Sequence, residues 1–220
     1  MNTVVIGGSS GLGLEFAKQL AEQGAEVLVT GRKDPKAKDI RFVQLDLSVP
    51  DLAKRLESFV KELPKVDLFI YAAGYYQEGR VTDLSEEQIE EMINVGGRGL
   101  IYGLRALLKK QADLPELITI TSTSQWTPRQ LEPIYNFVKA GAGHFTNAMA
   151  EDGRVAKVMV AGPAGMNTAF WKHDPERDMT DMLDPKWVAD QIMEARKQDY
   201  KYKYIRILRA PARVEEVETR

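Results

Sequence analysis

Short β-branched runs that end in Gly alternate along this chain with helical stripes, and that alternation limits the fold more than any other feature. "TVVIG" and "EVLVTG" are two such runs, and between them Leu12, Phe16 and Leu20 recur every four residues, the stripe of a helix packed on one face. "RFVQLDLS" reads as a third strand, and "PDLAKRLESFVKEL" as a helix with Pro near its start. "VDLFIYAAG" is a fourth strand, apolar almost throughout, as a strand covered on both faces should be. "SEEQ" opens a long helix with Ser85 as N-cap, striped by Ile89, Met92, Ile93, Leu100, Leu104 and Leu107. "ELITITSTS" is strand five; a helix runs from Pro133 to Met149; "AKVMVAG" is strand six, "DPKWVADQIMEAR" a helix and "KYIRIL" a last strand. The pattern predicts an α/β fold: a doubly wound parallel sheet of about seven strands with helices on both faces, in one domain over residues 1–220. Only about ten residues separate Arg32 from Phe42, so the helix expected between strands two and three is cut to a turn or two.

Composition narrows the function. The 220 residues are 44% hydrophobic and 28% charged with a formal net charge of −2, an ordinary globular balance with no electrostatic footprint for nucleic acid or an anionic membrane. No apolar run approaches the about 18 residues of a membrane span. The absence of cysteine excludes disulfides, thiolate metal sites and a cysteine nucleophile, and fits a cytoplasmic protein. His144 and His173 are the only histidines, so no metal site is expected.

The first β-to-α turn, "IGGSSGLG", admits two chemistries. Gly7, Ser9 and Gly11 satisfy G-x-S-x-G, the nucleophile elbow of a hydrolase; the same turn can cradle a pyrophosphate on backbone N–H groups. Position decides between them. An elbow needs an earlier oxyanion-hole loop, and only six residues precede Gly7. The glycines at 7, 11 and 13 are spaced G-x-x-x-G-x-G, which differs from the G-x-G-x-x-G fingerprint.

"YNFVK" places Tyr135 and Lys139 four residues apart on one helix face, about 6 Å at Cβ. An ammonium about 4 Å from a phenol, at an effective dielectric of about 20, favours phenolate by about 4 kcal/mol, roughly three pKa units from the usual value of about 10, with desolvation opposing it. The pair therefore reads as a proton donor poised near neutral pH.

Gly7, Gly11 and Gly13 after the first strand, Ser122 thirteen residues before Tyr135, and Tyr135-x-x-x-Lys139 together resemble the short-chain dehydrogenase/reductase family over nearly the whole chain. "YAAG", "INVGG" and "GPAGMNT" fall where that family has Asn-Asn-Ala-Gly, its catalytic Asn and its Pro-Gly with a following Thr. The resemblance implies a Rossmann-like fold and a set of roles. Tyr135 would donate a proton to a substrate carbonyl, Lys139 bind the nicotinamide ribose and lower the Tyr135 pKa, Ser122 hold the carbonyl oxygen, and Asn94 position a water that links Lys139 to solvent. Ser124 is the competing hydroxyl to Ser122. Gly7, Ser9, Ser10, Gly11, Leu12, Gly13, Arg32, Asp46, Leu47, Ala73, Gly74, Pro163 and Thr168, with Tyr135 and Lys139, would line the cofactor. It also implies a homodimer or homotetramer built on the two long helices, with Ile101, Leu108 and Phe137 as apolar residues beyond one core stripe. Departures from the family are Ile6 before the first Gly, Tyr71 and Ala72 in place of two Asn that tie strand four to its neighbours, and Ala164 after Pro163.

At the end of strand two an acid would bind a ribose 2′-hydroxyl, and a nearby Arg a 2′-phosphate. Gly31 occupies that slot, with Arg32 and Lys33 after it, so the expected cofactor is NADP(H). Tyr75, Gln125, Trp126, Phe170, Trp171 and Met182 lie on segments that border substrate in the family, with Trp126, Phe170 and Trp171 foremost; facing the pocket, they would suit a hydrophobic ketone or aldehyde, or the matching alcohol. His173 in this stretch reads as a surface or gating residue. A non-catalytic NADP(H)-binding sensor could use the same fold, because fold does not imply activity; the intact Ser, Tyr, Lys and Asn set argues for an enzyme.

Overall fold

The computed structural model describes residues 1–172 and 176–220. His173 lies outside the described residues. The chain forms strands β1 (Asn2–Ile6), β2 (Glu26–Gly31), β3 (Ile40–Gln44), β4 (Leu68–Tyr71), β5 (Leu114–Ile120), β6 (Val155–Pro163), β7 (Tyr202–Leu208) and β8 (Arg213–Thr219). They lie in one sheet in the order β3-β2-β1-β4-β5-β6-β7-β8. β1 to β7 pair in parallel, and β8 returns antiparallel to β7. The helices are α1 (Gly11–Glu22), α2 (Leu52–Lys61), α3 (Glu86–Ile93), α4 (Gly99–Lys110), α5 (Pro133–Met149) and α6 (Pro185–Arg196).

Alternate strand residues face opposite layers. Val4, Ile6, Phe69 and Leu117 pack with Leu56 of α2, Leu104 of α4 and Ala142 of α5; Val5, Ile70 and Ile118 pack with Phe16 of α1 and Ile192 of α6. Local signals start the helices where the sequence places them. Ser85 and Gln88 close a reciprocal capping box on α3, and Asp184 accepts from the Lys186 N–H at 2.8 Å ahead of Pro185 in α6.

The structure differs from the sequence reading in three particulars. The expected sheet of about seven strands is present with eight, the further strand being "RVEEVET" (β8), which pairs with the edge of β7. There the Lys203 ammonium, wholly buried, donates to Gln198 Oε1 at 2.6 Å and to Glu216 of β8. Second, the helix expected without a break from Glu86 to Lys110 is interrupted by one π turn, Asn94–Arg98. Third, no helix joins β2 to β3; residues 32–39 run as an irregular connection, with Lys36 and Asp39 at positive φ.

The π turn explains Tyr71. Its hydroxyl donates to the Val95 carbonyl at 2.5 Å, and a Cβ on Gly99 would come within 2.2 Å of that oxygen. Tyr71 thereby ties β4 to the long helix, a support the family draws from Asn.

Candidate active site

The order of β1 and β4 on either side of the chain reversal opens a crevice at the carboxyl ends of the strands, the place where doubly wound sheets hold ligands. A cavity of about 730 Å³ occupies it.

One wall is the first turn. Gly7 stands at φ 80°, and its absent Cβ would lie 2.6 Å from the Ala73 backbone; a Cβ on Gly13 would lie 2.3 Å from the Gly7 carbonyl oxygen. The turn is thus clamped between β4 and the start of α1. The Gly7 N–H donates to Thr30 Oγ1 at 3.4 Å, and Ser10, the N-cap of α1, makes no side-chain cap hydrogen bond. Glycines too tightly packed for any side chain, with an uncapped helix start beside them, fit a bound pyrophosphate. Gly13→Ala, forced against the Gly7 carbonyl, is expected to cost about 1–3 kcal/mol of stability, measured by chemical denaturation, and to loosen cofactor binding.

All the residues expected at the cofactor line this cavity: Gly7, Ser9, Ser10, Gly11, Leu12, Gly13, Arg32, Asp46, Leu47, Ala73, Gly74, Tyr135, Lys139, Pro163 and Thr168. Ser9 fills the space that a side chain at Gly31 would need, since a Cβ there would sit 1.9 Å from the Ser9 hydroxyl. Arg32 is largely exposed, with Nη1 3.9 Å from Glu91 Oε1. Burial works against the Asp46 carboxylate, but hydrogen bonds from Ser48 and the Arg32 charge outweigh it and hold its pKa below the usual carboxylate value.

Opposite stand Ser122, Tyr135 and Lys139. Pro133 opens α5 so that Tyr135 and Lys139 share the face turned to the sheet, both buried. The Lys139 ammonium donates to the Ile120 carbonyl at 3.2 Å and lies 5.6 Å from the centre of the Tyr135 ring. The expected lowering of the phenol pKa is reversed. Burial pushes Tyr135 well above the ordinary phenol value, and the Glu132 carboxylate adds to this, against a smaller opposing pull from Ser122 and Arg129. The Lys139 ammonium makes this one bond to Ile120 and none to the phenol oxygen. Burial lowers Lys139 itself to about 8, leaving it mostly protonated at neutral pH.

Both Ser122 and Ser124 line the cavity, but they differ. Ser122 neighbours the Tyr135 phenol, whereas Ser124 is engaged by Glu132 and Arg129. Asn94 does not line the cavity: its carboxamide accepts from Arg98 Nη1 at 2.9 Å and donates to the Ser48 carbonyl at 3.4 Å, so its side chain braces the π turn.

Phe170 and Trp171 line the cavity; Trp126 does not. The Trp126 ring packs into the space beside Gly162, 6.1 Å from Tyr204, under the Arg206 guanidinium at 4.3 Å. Gln125 turns away likewise, against Gly143. Asn136 imposes this by donating to the Ser124 and Thr127 carbonyls, which folds the loop onto α5. Sequence reasoning missed Tyr76, Arg129, Glu132 and Arg177. Tyr76 is buried with its ring edge-on to Tyr135 at 5.0 Å and to Trp171 at 5.2 Å, and Arg177 lies over Trp171 at 4.5 Å. Only Glu132 left a legible signal, an acid three residues before the tyrosine at a helix start.

Among the described residues no group of three His, Asp or Glu could hold a metal ion, and no helix is long and apolar enough to cross a membrane.

The fold and crevice define a doubly wound α/β protein with a cavity at the strand ends and a buried Tyr-Lys pair. A family model described as short chain dehydrogenase matches residues 1–178, and the chain belongs to the short-chain dehydrogenase/reductase family, as an oxidoreductase. An uncharacterized oxidoreductase of Staphylococcus saprophyticus is 25% identical over 211 residues, 89% of this chain and 90% of the relative. One of Staphylococcus aureus is 28% identical over the same shares. Among solved structures, a short-chain dehydrogenase from Sphingobium yanoikuyae in complex with NADPH superposes with TM-score 0.80 at 20% identity, covering 90% of this chain and 85% of that one. The closed form of a serine dehydrogenase complexed with NADP+ gives 0.81 at 22%, covering 93% and 94%.

Proposed function

We propose that this oxidoreductase reduces a ketone or aldehyde, or oxidises the matching alcohol, with NADP(H). The observation that carries this reading is the convergence of Ser122, Tyr135 and Lys139 on the cavity that the Gly7–Gly13 turn closes at its other end. When bound, the nicotinamide would supply or take the hydride. The chain's own residues do the rest. Tyr135 holds a proton firmly, as a donor to a developing alkoxide should, since hydride arrival at a carbonyl builds negative charge on oxygen. Ser122 stands beside it to hold that oxygen. Lys139, a cation at neutral pH beside the Gly74 backbone, offers an ammonium to a ribose. Asn94 contributes through the π turn it braces.

The NADP(H) preference rests on Arg32 at the slot after β2 and on Ser9 filling the space of an acid at Gly31. The aromatic wall of Tyr76, Phe170 and Trp171 supports an apolar substrate. Screening ketones, aldehydes and alcohols for consumption or production of NADPH tests the reading. Cofactor binding without turnover of any of them would favour the sensor.

A homodimer is part of this proposal. Phe137 on α5 and Ile101 on α4 are 66% and 41% exposed, while Leu108, expected beside them, is buried in the core. An exposed ring on α5 and an exposed branched chain on α4 suit a second copy of this chain. Phe137→Glu should convert the dimer to monomer in sedimentation velocity. An unchanged sedimentation coefficient would place the interface elsewhere.

A further inference from the structure

The carboxylate of Glu132, just ahead of α5, engages three cavity-lining segments at once. Its Oε2 accepts from Ser124 Oγ at 2.7 Å and from Arg129 Nη1 at 3.0 Å, and its Oε1 lies 3.3 Å from the Tyr76 hydroxyl, whose single proton it shares with Glu78 Oε2 at 3.2 Å. Arg129 also donates to Ser124 Oγ at 2.7 Å and to Thr123 Oγ1 at 2.9 Å. Ser122 Oγ lies 3.2 Å from Ser124 Oγ and accepts from the Ser124 N–H at 3.2 Å.

Counting donors fixes where the protons sit. A carboxylate only accepts and a guanidinium only donates, while a hydroxyl has one proton and two lone pairs. The single Ser124 proton is therefore committed to Glu132, and one Ser124 lone pair to Arg129. The remaining lone pair takes the Ser122 proton. With its hydrogen on Ser124, Ser122 shows Tyr135 a lone pair, to which the phenol can donate; its downward pull on the Tyr135 pKa is exerted only when that hydrogen turns to the phenolate. When the phenol has lost its proton, Ser122 must swing its hydrogen from Ser124 back to the phenolate or to the substrate oxygen. Glu132 biases that swing without touching either.

We propose that Glu132 is a positioning residue for the proton-transfer step, acting through Ser124 to hold the Ser122 hydroxyl in its accepting orientation so that Tyr135 keeps its proton until substrate takes it. This rests on Tyr135 being the acid of the proposed reaction. No new reactant enters: the proton passes from the Tyr135 oxygen to the substrate oxygen, and Ser122 changes only the direction of its own O–H.

The other charged or titratable groups around Tyr135 and Glu132 are Lys139, Arg129, Tyr76, Glu78 and Arg177, and none changes in the variants below. In Glu132→Gln the Ser124 proton is released toward Ser122, and the Ser122 proton toward Tyr135. Ionisation of Tyr135 should then begin at lower pH, by about one unit or tenfold in proton concentration, and carbonyl reduction should fall off at correspondingly lower pH. Ser124→Ala keeps the Glu132 charge, breaks the relay and removes one Arg129 contact while leaving Arg129 bound to Glu132 and Thr123, and should move the profile the same way. The double variant should move it no further than Glu132→Gln alone. Tyrosinate absorbance, taken as the difference between each protein and the same protein carrying Tyr135→Phe, reads this without turnover, so a chain that reduces no carbonyl still gives an answer. An unmoved profile in Ser124→Ala, or shifts that simply add in the double variant, would overturn the proposal.

Discussion

Tyr135→Phe keeps cofactor affinity and loses turnover by about 10²–10⁴-fold, the range a positioned general acid contributes. The ring remains, so its edge-on packing against Tyr76 and the fold of α5 are kept. Only the hydroxyl goes, and with it the proton that burial and the Glu132 charge hold on the oxygen. Single-turnover rates with NADPH, beside a fluorescence titration of the same protein, separate the two quantities. Retained turnover would remove Tyr135 from the chemistry. Loss of both binding and turnover would mark it as a structural residue of the cavity.

Arg32→Asp should weaken NADPH binding by about 10–100-fold and NADH binding by less than about threefold. Charge-assisted hydrogen bonds are worth about 1.5–3 kcal/mol, and only the 2′-phosphate is available to make them. The Arg32 contact with Glu91 is long and exposed, and an exposed ion pair holds a side chain weakly. The guanidinium is thus able to turn to a phosphate. An Asp at 32 would add a second carboxylate near Asp46, whose pKa Arg32 helps to hold down. Isothermal titration with the two cofactors decides the matter, and equal losses would contradict the assignment.

Much of the site was legible because its signals are local. A strand, a glycine turn and the start of a helix are written within the first thirteen residues. The Tyr-Lys pair needs only the pitch of a helix to share a face. The capping box on α3 likewise involves residues three apart. Trp126 was misread because position beside a substrate segment does not fix the direction of a ring; Asn136 folds the loop and turns the indole to Gly162. Leu108 looked surplus to one helical stripe, yet α4 is buried on a broader face.

The sequence by itself determined the alternation of strands and helices, the glycine turn after β1 and the spacing of Ser122, Tyr135 and Lys139, since each is set by backbone periodicity over a few residues. Tertiary structure alone decided the eighth strand, the bracing role of the Asn94 side chain, the aromatic wall around Tyr76 and the sign of the Tyr135 pKa shift. The physical reason is that burial and charge are properties of what surrounds a group. Lys139 lies four residues away in sequence yet directs an N–H to the Ile120 carbonyl and none to the phenol oxygen, whereas Glu132 and the exclusion of water act on Tyr135 only once the chain has closed around it.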